Sequence, residues 1–218
     1  MVPDTPDRCR LVLINPSRGD PRHIADQLAE AVAGGDVASV VLQRGELEDS
    51  AFERLCERSI PPIQSAGAAA VIAGTIAEAE RFGADGVHLE DRGLLAKFPV
   101  PDTRLIIGAG GVKSRDDALV LGELRPDYLF FGRFGYDTDP EPHPRNLKLG
   151  EWWSQLVEIP CIVLAGCHIE SVEKVAATGA EFVAASSAIF AGTQSPGEAV
   201  RRTNALLDET APRFGADP

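Results

Sequence analysis

The residues able to do chemistry in this chain stand at the ends of short apolar runs. The stretch "GADGVHLED" puts His88, Glu90 and Asp91 within four positions. An imidazole beside two carboxylates is raw material for a metal centre or an acid–base pair. Alternation with Val87 and Leu89 makes His88 inward-facing or helix-facing, in mid-strand. That position predicts a buried hydrogen bond rather than a place at a reactive rim. Glu90 and Asp91 are adjacent, so on extended backbone they point apart and one of them faces a pocket. They are the candidate metal ligands, and a solvated loop pair is the ordinary structural alternative. Gln43 and Arg44 after one apolar run, with Asp91 and Asp137 after two others, are the catalytic candidates. In "LAGCHIES" and "AASSAIFAG" small residues open helices, the pattern by which backbone N–H groups hold a phosphate. Gly166, Ser186 and Ser187 are therefore the phosphate-binding candidates, while the same small residues also suit tight strand–helix packing. Arg133 and His168 end their runs at a pocket rim. No H-E-x-x-H, P-loop or nucleophile-elbow signature occurs.

The elements that must position these residues repeat about eight times. "CRLVLIN", "VASVVLQ", "AAAVIAG", "DGVHLE", "TRLIIGAG", "DYLFFGRF", "CIVLAGC" and "FVAASSAIF" are short and rich in Val, Ile and Leu, without strict alternation. Strands covered on both faces read that way. Amphipathic segments separate them, such as "PRHIADQLAEAVAGG" with its stripe of Ile24, Leu28, Ala31 and Val32. "RGLLAKFPVP" is the least helical of these segments. Eight β/α units between about residues 10 and 207 predict one α/β domain over 1–218, a (β/α)8 TIM barrel. The first strand–helix turn, "NPSRGDP", lacks the G-x-G-x-x-G of a doubly wound dinucleotide fold. The proline-bearing stretch 135–150, flanked by Gly135 and Gly150, reads as a long loop on the face where barrels build active sites.

Composition narrows the partners. With 21 basic against 33 acidic residues the net charge is −12, which opposes non-specific binding to nucleic acid or an anionic membrane. A local basic pocket for a phosphorylated small molecule is compatible with that balance. The start lacks a signal-peptide core and no apolar run is long enough to span a bilayer, so a cytoplasmic location is expected. Cys9, Cys56, Cys161 and Cys167 form no CxxC pair and read as reduced thiols. Trp152, Trp153 and Leu156 read as helix-packing residues or as part of a subunit contact, which leaves a homo-oligomer open.

"GADGVHL", "DYLFFG" and "GAEFVAASSAIF" resemble the thiamine phosphate synthase family, and the likeness runs through roughly residues 10 to 207. The resemblance implies a barrel enzyme of thiamine biosynthesis. Such enzymes couple a pyrimidine diphosphate to a thiazole phosphate and release pyrophosphate with Mg2+. It also implies departures. The family's second-strand glutamine and arginine fall on Val41 and Gln43, with Arg44 one residue out of step. Its Asn-Asp falls on Ala73 and Gly74, and its next carboxylate on Gly93, leaving Glu90 or Asp91 to compensate. The fifth-strand serine and nearby histidine fall on Gly110 and Val112. The Thr-x-Thr-Lys segment falls near Asp137 to Pro140, with Arg145 or Lys148 as stand-ins for the lysine. Gly166, Ser187, Ala188 and Ile189 keep the family's thiazole-phosphate positions. Two readings follow from this pattern. One is a thiamine phosphate synthase-like transferase; the other is a catalytically degenerate barrel that binds a phosphorylated small molecule or a protein partner in a regulatory role.

Overall fold

All eight apolar runs form parallel strands. They are β1 (Arg10–Ile14), β2 (Ser39–Gln43), β3 (Ala69–Ala73), β4 (Gly86–Leu89), β5 (Ile106–Ala109), β6 (Tyr128–Phe131), β7 (Cys161–Leu164) and β8 (Phe182–Ala185). The computed structural model describes residues 6–90, 93 and 104–215. Strands pair in sequence order and the ring closes where β8 meets β1, Arg10 opposite Phe182 and Leu13 opposite Ala185. This is the TIM barrel that the repeat predicts.

Two packed layers follow from the parity of the strands. One set of side chains fills the inside of the ring: Val12, Ile14, Val41, Val71, Tyr128, Phe130, Ile162, Leu164 and Ala184. The other set, including Leu11, Leu13, Leu42, Ile72, Val87, Ile107, Phe131 and Val163, packs under the helices. His88 shares parity with Gly86, so it points inward. Gly108 gives up its side-chain space to the Tyr128 ring, which lies across it. The inner layer is thus built around one large aromatic residue that reaches from β6 to β4.

The helices among the described residues are α1 (Pro21–Val32), α2 (Asp49–Ser65), α3 (Ile76–Phe82), α4 (Arg115–Gly122), α5 (Pro144–Leu156), α6 (Ser171–Ala176), α7 (Ser187–Phe190) and α8 (Pro196–Thr210). Side-chain caps fix several starts: Asp20 for α1, Ser114 for α4 and Ser195 for α8. Thr75 and Glu78 close a full capping box on α3. The segment expected to be least helical lies almost entirely outside the described residues.

The expected long loop is shorter than the sequence reading. It ends at His143, whose ring nitrogen accepts from Arg145 N, and Pro144 opens α5 at the first helical position. Trp153 anchors that helix. It is almost fully buried, its ring meets Phe131, and its indole N–H donates to Ile159 O at 2.7 Å. Trp152 lies half-buried beneath the Arg115 guanidinium, while Leu156 is exposed. Cys9, Cys56, Cys161 and Cys167 are all free. Burial pushes the Cys9 and Cys56 thiols up to about 12, which keeps them protonated and unreactive.

Candidate active site

At the carboxyl end of the barrel the inner layer terminates in His88. Its Nδ1 lies 3.1 Å from the Tyr128 hydroxyl, and the two rings stack. Phe130 meets it edge-on and Phe134 covers it at 5.1 Å between centroids. The expected buried hydrogen bond is therefore present, but only on one side of the ring. Nε2 is buried with no partner. Gly110 lies beside it, where an added Cβ would stand 2.6 Å from Nε2.

Enclosure in this aromatic layer pushes the His88 pKa down to about 3, because burial penalises the imidazolium. The unfolded chain takes up that proton below about pH 6.5, and the folded chain does so only near 3. Stability is therefore unaffected by His88 above pH 6.5 and falls as the pH drops through the interval below it. The slope from this one group is at most about 1.4 kcal/mol per pH unit. Denaturant titrations of wild type and His88→Phe across pH 4–7 test this. The variant is expected to lose stability less steeply, and parallel curves would refute the assignment.

Two cavities open above this layer. A smaller one of ≈ 340 Å³ is bounded by Gln43, Arg44, Ala73, His88, Glu90 and Phe134. A larger one of ≈ 640 Å³ lies over β5 and β6, and its cations are Lys113, Arg133 and Arg145. Glu90 borders both. None of the three cations forms an ion pair with a described residue, although Arg133 lies 4.1 Å over the Tyr136 ring. Glu90, Asp139 and His143 line the same space, as does buried Asn146, whose Oδ1 has no partner. In a chain of net charge −12, three cations with no described carboxylate partner around one cavity make a binding place for an anion.

The β7 and β8 loops are arranged differently. Asp137 is buried and its Oδ2 accepts from Ser187 N at 2.6 Å. Asp139 O accepts from Cys167 N at 2.8 Å, and Pro140 O lies against Gly166. Gly166 N donates to Ser171 Oγ. The segment after β6 thus lies over the phosphate-binding candidates and takes up backbone donors around them. Ser186 and Ser187 also border a third cavity of ≈ 410 Å³, with Arg18, Gln43 and Glu46. Asp137→Ala strips the partner from a half-buried amide, which costs about 1–3 kcal/mol. The denaturation midpoint should fall and the Ser187 amide should lose exchange protection. An unchanged midpoint would mean that this contact does not hold the segment.

Other predicted residues are placed as follows. Gln43 and Asn15 cross-link the ends of β1 and β2 through backbone and side-chain bonds, with Gln43 Nε2 donating to Asn15 O. Arg44 turns toward the helices, where it pairs with Asp49 at 2.5 Å and Glu78 at 2.7 Å and covers Phe52. The one-residue offset from Gln43 reverses its face. Arg133 stands at the rim of the large cavity. His168 instead lines a separate recess of ≈ 300 Å³ with Cys167, Glu170 and Arg202. Asp91 lies outside the described residues. Among the described residues no group of three His, Cys, Asp or Glu could hold a metal ion. Glu90 is exposed at the mouth, and Ala73 and Gly74 offer no ligand. The described donors do not amount to a magnesium site.

The sequence reading missed Lys113, His143 and Asn146 as members of one cavity. Lys113 carried a signal, a cation just past the Gly-Gly end of the fifth run. His143 and Asn146 carried none until Pro144 was recognised as a helix start.

A sequence model for thiamine monophosphate synthase matches residues 11–189. The thiamine-phosphate synthase of Rhodospirillum centenum is 31% identical over 206 residues, 91% of this chain and 98% of that protein. That of Hyphomonas neptunium is 32% identical over 212 residues, 94% and 96% of the two chains. The thiamine phosphate pyrophosphorylase from Pyrococcus furiosus superposes with a TM-score of 0.77 at 20% identity, covering 94% and 98% of the two chains. The (S)-3-O-geranylgeranylglyceryl phosphate synthase of Thermoplasma acidophilum shares the fold at 15% identity, with a TM-score of 0.64. Among the described residues no helix is long and apolar enough to cross a membrane.

Proposed function

The chain belongs to the thiamine monophosphate synthase family, and from that premise we propose that it is a transferase of thiamine biosynthesis. It couples a pyrimidine diphosphate to a thiazole phosphate. The carbon–oxygen bond to the diphosphate breaks, its electron pair leaves with the diphosphate, and a carbon–nitrogen bond to the thiazole forms. The observation that carries this reading is the large cavity with Lys113, Arg133 and Arg145 around it, none of them ion-paired to a described residue. A departing diphosphate develops charge on its bridging oxygen, and fixed cations there stabilise the transition state more than the substrate.

The family's two carboxylate positions fall on Gly74 and Gly93, and acidic residues stand where its loop lysine would be. Lys113 and Arg133 supply charge from the ends of β5 and β6, and Arg145 from the first turn of α5. Of the two expected lysine stand-ins, Arg145 borders the cavity and Lys148 is exposed further along the helix. Among the described residues the donors do not form a site for Mg2+. The thiazole phosphate is assigned to the Gly166, Ser186 and Ser187 loops, and its binding there requires Asp137 to leave the Ser187 amide. The regulatory alternative is not favoured by relatives that match over nearly the whole chain.

Purified protein supplied with both substrates should release diphosphate in step with thiamine phosphate formation. Diphosphate binding without release at high protein concentration would instead leave a degenerate barrel.

A further inference from the structure

We propose that the segment after β6 is an autoinhibitory strap, with the Asp137 carboxylate seated where a substrate phosphate binds. This rests on the transferase reading, which assigns the thiazole phosphate to the Gly166, Ser186 and Ser187 loops. It adds that the resting chain closes that place with its own anion. Three observations carry the inference. First, the Asp137 side chain is an anion already in place: the residue is 3% exposed and accepts from Ser187 N at 2.6 Å. A carboxylate gives up hydration to sit there, and its charge-assisted bond is the one a phosphate oxygen would make at the same amide. Second, this bond is part of a continuous seal. Thr138 O accepts from Cys167 Sγ at 3.4 Å, and Asp139 O accepts from Cys167 N at 2.8 Å. The carbonyls of Asp139 and Pro140 lie against Gly166, in the space a side chain there would fill. Glu141 pairs with Lys174 of α6 at 2.8 Å. Every residue from 137 to 141 therefore touches the β7 or β8 loop or the helix that follows β7.

Third, the seal can be released by a phosphate and not by chance contacts alone. Its outermost tie, Glu141 to Lys174, joins two exposed side chains and contributes little. Gly135 holds a φ of +75° at one end of the strap, with open space around it, and the His143 cap starts α5 at the other. Arg18 borders the same cavity as Asp137, Ser186 and Ser187 and forms no ion pair with a described residue. A phosphate arriving there takes over the Ser187 amide and gains a cation that the strap leaves unused. Until then, the apparent affinity of the site is its intrinsic affinity reduced by the fraction of chains with the strap raised.

Cys167 reports the strap directly, since both its thiol and its amide are held by it, while Cys9, Cys56 and Cys161 are buried. The full chain without ligand is alkylated with iodoacetamide, and the Cys167 rate is read against that of Cys56 by peptide mass spectrometry. In Asp137→Ala this ratio is expected to rise at least about fivefold over wild type. Inorganic phosphate, titrated and followed at the Gly166 and Ser187 amides by NMR, should bind Asp137→Ala at least about tenfold tighter than wild type. Asp137→Asn keeps the size and an acceptor oxygen without the charge. It should fall between the two in both measurements, and it carries the test if the alanine variant folds poorly. An unchanged Cys167 ratio overturns the proposal even if phosphate binds tighter, because Asp137 then acts by repulsion and not by occupying the site. A raised ratio with unchanged phosphate affinity overturns it as well, by making the contact structural. Inorganic diphosphate separates this claim from the reading beneath it. Wild type that binds diphosphate near Lys113, Arg133 and Arg145 keeps the transferase reading even where the strap fails. Wild type that does not bind it overturns both.

Discussion

Replacing Arg133 and Arg145 together by alanine is expected to weaken inorganic diphosphate binding by about 10²-fold or more. Each charge-assisted hydrogen bond to an anion is worth about 1.5–3 kcal/mol, so two of them span roughly 3–6 kcal/mol before screening. Both side chains are exposed at the cavity rim, which puts the expected loss toward the lower end of that span. The reason for a large effect is that neither cation is committed to a described carboxylate, so its charge is available to the ligand. Arg44, held between Asp49 and Glu78, provides the contrast. Arg44→Ala should leave diphosphate affinity within about threefold, because its charge is already neutralised locally and faces the helices. Calorimetric titration at two ionic strengths measures both variants. Wild-type binding should weaken with added salt, and the double variant should depend on salt less steeply. Equal affinity in wild type and the double variant would remove the diphosphate from this cavity.

Trp153→Ala is expected to be the most destabilising single change among those considered, at about 3–5 kcal/mol. The side chain is 1% exposed, packs on Phe131 of β6, and donates to Ile159 O just before β7. Gly122 at the end of α4 has its Cβ position filled by the Trp153 ring. One indole therefore joins α4, α5 and two strands, and its removal leaves a cavity and an unpaired carbonyl. The consequence reaches the site, because α5 presents Arg145 and Asn146. Denaturant unfolding should show the loss in midpoint, with diphosphate affinity reduced even where the variant is folded. A loss under 1 kcal/mol would mean that the helix layer relaxes into the vacated space.

The barrel was legible because parallel strands buried on both faces read as apolar runs, and eight such runs separated by amphipathic segments admit few closures. His88 illustrates how far parity carries an inference. Alternation with Val87 and Leu89 leaves it inward-facing or helix-facing in mid-strand, the closed barrel turns it inward, and the pattern says nothing about whether both ring nitrogens are satisfied. Arg44 shows parity working again, since its one-residue offset from Gln43 sends it to the helix side. The loop after β6 is drawn too long by the sequence, because Pro144 is the first residue of a helix that local composition does not separate from the proline-bearing stretch before it. What remained illegible was convergence. Lys113, Arg133 and Arg145 come from three loops separated by 12 to 32 positions, and only barrel closure brings them to one cavity. The self-capping of Ser187 by Asp137 is likewise a contact across fifty positions that no local pattern announces.

The central claim is that the diphosphate end of the substrate occupies the cavity over β5 and β6. A crystal structure of the protein with inorganic diphosphate tests it most directly. The account predicts diphosphate in contact with Lys113, Arg133 and Arg145, with Asp137 still on the Ser187 amide. Diphosphate seated instead against Gly166 and Ser187, with those three cations untouched, would contradict it.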